Sequence, residues 1–169
     1  MAAAASRITY QGAAIFAGAA VVATLAAMLV HSVPHPDYSL SEAIWIRSTW
    51  SLAAGISAAL AFLLIRRFDW RLRCEPLLGR ALVVGCSTVA VAHLLIGVVF
   101  SSILLLARPI FPETPFWAGG DLLFHLIGMS IFSVVYAWYF TLPLGITAAG
   151  LVERLERRRD AAGETKAAE

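Results

Sequence analysis

Two histidines lie inside long apolar runs: His93 in VVGCSTVAVAHLLIGVVF (83–100) and His125 in GGDLLFHLIGMS (119–130). Imidazoles presented at similar depth by two facing helices are the axial pair that a b-type haem iron accepts. His93 and His125 are therefore the candidate cofactor ligands. Asp121 stands four residues before His125, one helical turn away on the same face. A carboxylate there can accept from the ring and fix its tautomer, as groups behind ligating histidines do. Asp121 can equally cap a helix start. Arg47 and Arg108, expected at the same end of the molecule, would suit haem propionates.

The plainer chemistry for the same residues is structural. A neutral imidazole buried between helices can bond a backbone carbonyl or a serine, and Ser51, Ser101, Ser130 and Ser133 are available partners. Such contacts within a membrane contribute well under 2 kcal/mol each. A third reading strings Asp121, His125 and His93 into a proton path. A chain this short would need to oligomerise to build one.

Other candidates carry less. His31, His35 and Asp37 are interleaved with Pro34 and Pro36, which reads as a solvated loop, so no metal site is expected. Cys74 and Cys86 form no CxxC. A reducing compartment disfavours a disulfide between them, and both thiols are expected to be small packing residues. There is no HExxH, GxSxG or P-loop, so the chain leans away from an enzyme and no catalytic residues are assigned.

The elements that must hold these side chains follow from composition. The 169 residues are 60% hydrophobic and 14% charged, with a mean hydropathy of +0.78. Soluble domains carry about 25% charged residues, and one this small could not hide so much apolar surface in a single core. Lipid supplies the missing solvent. A spanning helix needs about 20 apolar residues, and four runs qualify. Helices are expected at about 8–30, 40–66, 80–107 and 115–142, the last extending to about 159 past Pro143, where a kink is expected. Strict alternation is missing, which argues against barrel strands. The expected fold is an all-α polytopic bundle of four transmembrane helices. It forms one domain over residues 1–160, with a short disordered cytoplasmic tail over 161–169.

Local signals refine those bounds. Ser39 with Glu42 three residues on is a capping box, so the second helix should begin near Leu40. Thr114 with Pro115, or Asp121 after two glycines, can start the fourth. Small residues recur at helical spacing: Ala13, Ala17, Ala20, Thr24 and Ala27; Ser48, Ser51, Gly55 and Ala59; Cys86, Ala90, His93, Gly97 and Ser101. Small-polar stripes face other helices, because lipid offers no hydrophobic drive for association. His93 should therefore point inward. The aromatics Tyr136, Trp138 and Tyr139 read as an interfacial belt near the inner end of helix four.

Orientation comes from arginine. Eleven of the 13 basic residues fall on one side: Arg7, those in the 66–80 connection, and those after residue 153. The positive-inside rule then puts both termini in the cytoplasm. In the inner membrane, this reads as a non-catalytic accessory or assembly component. Its partners are lipid and a membrane protein or further copies of itself. The haem bundle and the oligomeric proton-coupled transporter or channel are the alternatives. A net charge of +2 gives no reason for a nucleic-acid partner.

Overall fold

The computed structural model describes residues 2–30, 40–68, 76–107 and 122–168, with side chains over 10–30, 44–67, 76–107 and 126–162. It is all-helical there: α1 (Ala2–Val30), α2 (Leu40–Phe68), α3 (Leu77–Ala107) and α4 (Leu122–Ala168). Each helix is long and apolar enough to cross a membrane. α2 begins at Leu40, as the capping signal implies, although Ser39 itself lies outside the described residues. So do the two outer connections, with His31, His35, Asp37, Arg108, Thr114 and Asp121 among them.

Each helix packs on its neighbours in chain order, and α4 closes the ring against α1. Every neighbouring pair runs antiparallel, as the register of contacts shows. Phe16 of α1 stacks on Phe62 of α2 at 4.8 Å between ring centroids, and a Cβ on Gly55 would meet Val21 and Ala17. Trp50 of α2 meets Phe100 of α3, also at 4.8 Å. Between α3 and α4 the backbones nearly touch. A Cβ on Gly85 would lie 2.7 Å from the Cα of Ile146, and one on Gly97 would collide with the carbonyl oxygen of Leu126. The small stripes exist to permit this approach. Arg159 Nη2 donates to Gln11 Oε1 at 2.8 Å, so the start of α1 and the far part of α4 share one end of the bundle.

The inward stripes match expectation in part. Ala13, Thr24, Ala27, Ser51, Gly55, His93, Gly97 and Ser101 are buried, while Ser48, Cys86 and Ala90 face outward. Cys86 is thus not a packing residue.

α4 departs from expectation at its far end. It begins at Leu122, and it remains helical through Ala168, across the stretch read as a disordered tail. Its 47 residues would span about 70 Å at 1.5 Å per residue. Pro143 sits within it without ending it. The aromatic trio at 136–139 is not at an end, because the residues flanking it reach His93, halfway along α3. The apolar run continues through LPLGITAAGLV up to Glu153.

Candidate functional site

Three features occupy the interior, from the end shared by the termini outward. The first is a charge cluster. Glu153 on α4 is 2% exposed and lies between two arginines, with Arg66 Nη1 at 3.3 Å from Oε1 and Arg80 Nε at 3.1 Å from Oε2. Glu156, one turn on, pairs with Arg66 Nη2 and faces Arg80 Nη2 at 4.0 Å. Arg66 also lies over the Phe62 ring, 5.9 Å from its centroid. Two positive and two negative charges therefore join the end of α2, the start of α3 and α4. Beneath them pack Phe16, Phe62, Val84, Ala149 and Val152. Sequence reasoning read Arg66 and Arg80 only as topology signals. The available clue was a pair of glutamates three residues apart at the end of an apolar run.

The second feature answers why an imidazole sits mid-helix. His93 is 8% exposed, with Nδ1 at 2.9 Å from Ser133 Oγ and Nε2 at 2.9 Å from Thr141 Oγ1. Both hydroxyls also reach backbone carbonyls of their own helix, Ser133 that of Ser130 at 2.8 Å and Thr141 that of Ala137 at 3.0 Å. A neutral imidazole has one donor and one acceptor nitrogen. One hydroxyl must therefore turn its proton from its carbonyl onto the ring while the other accepts from it. Beside this clamp, Ser130 donates to the Leu94 carbonyl at 3.3 Å. Ser133 was among the expected partners. Thr141 was not, because the residues around it were assigned to the interface.

His125 lies in α4, eight residues from Ser133, or about 12 Å along the axis. Its side chain is outside those described, as is Asp121, so the pairing of His93 with His125 and of His125 with Asp121 lies beyond the described residues. Among the described residues no group of three or more His, Cys, Asp or Glu side chains gathers as a metal site would need.

The third feature is a cavity of about 310 Å³ lined by all four helices. It lies between the Phe16–Phe62 core and a second core around Ala53, Ile96 and Phe100. Its walls are chiefly apolar, with Trp50, Phe132 and Tyr136 toward one side and Ala20, Ala54 and Ile96 among the rest. Trp50 bridges helices here, 5.6 Å from Phe132, whose ring lies tilted against Tyr136 at 4.1 Å. His93, Ser133 and Thr141 form one polar wall, while Arg47 is the charged residue in the lining.

No family model matches the chain, nor does any curated protein or solved structure.

Proposed function

We propose that the chain is a multi-pass protein of the inner membrane that crosses four times with both termini cytoplasmic. In this reading it serves as a non-catalytic accessory or assembly component of a membrane complex. One observation carries the proposal. The titratable groups buried in the bundle are committed to other helices: His93 to two hydroxyls of α4, and Arg66 and Arg80 to Glu153 and Glu156. Polar groups used this way hold helices in register. The outward faces of α4, including Ile127, Ile131, Val135 and Trp138, remain exposed and apolar for lipid or a membrane partner. Basic residues at the end shared by the termini agree with the positive-inside rule.

Blue-native electrophoresis of native membranes tests the role. The chain should migrate in an assembly larger than itself, and free monomer alone overturns the reading. Labelling of single cysteines placed at each terminus tests the topology, with both ends expected on the same face.

A b-type haem on His93 and His125 is the second reading. The burial of His93 beside a cavity favours it. Against it, both ring nitrogens already have hydroxyl partners, one of which an iron would displace. A purified protein with no Soret band after expression with ample haem ends that reading.

A further inference from the structure

The cavity is long rather than round. α1 lines it from Phe16 to Met28, α2 from Ile46 to Ala58 and α4 from Phe132 to Gly145. Each of those stretches advances about 18–20 Å along its helix, at 1.5 Å per residue. A sphere of the same 310 Å³ would be only about 8 Å across, under half that length. The space is a slot parallel to the helices.

Its polarity is gathered at one end. Along its length Thr24, His93, Ser133 and Thr141 already hold hydrogen bonds to one another or to helix carbonyls. The Ser57 and Thr88 oxygens have no partner, but they are buried away from the slot and offer it nothing. An apolar body passing these side chains therefore breaks no hydrogen bond. Arg47 is the one charged residue among the described residues of the lining, and it is exposed, at the end shared with Met28 and Ile46. Trp50 and Tyr136 lie in the same half. The opposite end is apolar, lined by Phe16 where it stacks on the buried Phe62.

We propose that the slot holds the extended alkyl chain of an anionic amphiphile, with its carboxylate or phosphate head at Arg47 and its methyl end near Phe16. The guanidinium is a five-donor fork that matches either head and can hold it beside a contact within the chain. An extended chain gains about 1.2 Å per bond, since the three backbone bonds of a residue cover at most about 3.6 Å. About sixteen carbons therefore fill about 18 Å. The charge sets the direction, because a head carried to the Phe16 end would be buried without a counter-charge. The volume falls within the range of roughly 300–1,000 Å³ typical of small-molecule sites. This site stands whether or not the chain belongs to a larger complex.

Sixteen-carbon probes that differ in their heads test it: palmitate, hexadecyl phosphate and hexadecanol. Each is titrated into the purified full-length chain in a steroid-based detergent, which offers no straight chain to compete, at a pH where palmitate is ionised. Native mass spectrometry reads occupancy, and the midpoint of unfolding reads stabilisation. Palmitate or hexadecyl phosphate should be retained one per chain, at least about tenfold more tightly than hexadecanol. Whichever of the two binds better identifies the head. In Arg47→Gln that preference should shrink to about twofold or less, while hexadecanol binds as before. Comparing the two proteins cancels unequal partitioning of the probes into micelles. Ala20→Phe and Ala92→Phe fill the slot from α1 and α3, and whichever folds should retain none of the three. A folded wild-type chain that retains no probe overturns the proposal, and so does an anionic preference that survives Arg47→Gln. Undiminished binding in a folded slot-filling variant also overturns it, because the probes would then lie on the outer surface of the bundle.

Discussion

The end of the bundle shared by the termini and the middle of the bundle solve the same problem differently. At the end, four charges and the stacked Phe16–Phe62 pair fill the space between helices. In the middle, one imidazole and two close glycine contacts hold α3 to α4, and a cavity remains in the centre. The end gains its stability from groups that cannot be left alone. The middle relies on contacts that are individually weak, and the helices there enclose a cavity of about 310 Å³. Integrity and adaptability are thus separated along the helix axis.

Substitutions can break or sharpen this contrast. The largest loss should follow Glu153→Ala, which leaves Glu156 to face two partly buried arginines, exposed by only 16% and 13%. Breaking a buried pair by removing one partner costs about 3–5 kcal/mol, read as a lowered midpoint of unfolding in mixed micelles. Gly97→Val should come next, because any side chain there meets the Leu126 carbonyl. Overpacking costs about 1–3 kcal/mol, and cross-linking between α3 and α4 should weaken with it.

His93→Ala removes two hydrogen bonds and should cost about 1–2 kcal/mol, since intramembrane hydrogen bonds average about 0.6 kcal/mol and reach about 1.7. A double-mutant cycle with Thr141→Val should return a coupling in that same range. If His93→Ala proved more damaging than Glu153→Ala, the contrast between end and middle would be reversed. The smallest effect belongs to Cys86→Ser, on the outward face of α3. It should stay within about 0.5 kcal/mol, read as an unchanged midpoint of unfolding.

The four helices were legible because hydropathy and length alone identify them, and no tertiary fact is needed. The inward direction of His93 was legible for a similar reason, since Gly97 and Ser101 share its face over the next two turns. Thr141 was hidden. Its meeting with His93 depends on how far α4 slides along α3, and the aromatics at 136–139 suggested an interface at that level. The charge cluster was hidden by the same unknown. Glu153 meets Arg66 and Arg80 only because the apolar run of α4 continues past Pro143. Ser57 and Thr88 attract no attention as letters in an apolar run. Their lack of partners becomes visible only once α2 and α3 are side by side.

The ion-paired end also has a history within the chain's own synthesis. Arg66 and Arg80 emerge before Glu153 and Glu156 exist, since the chain is made from its amino end. In the proposed topology those guanidinium groups are uncompensated in the nascent chain and would count fully toward which way the first helices point. Once the fourth helix arrives, its carboxylates neutralise them. In that topology the same two side chains would first orient the chain and then be consumed in locking the finished bundle.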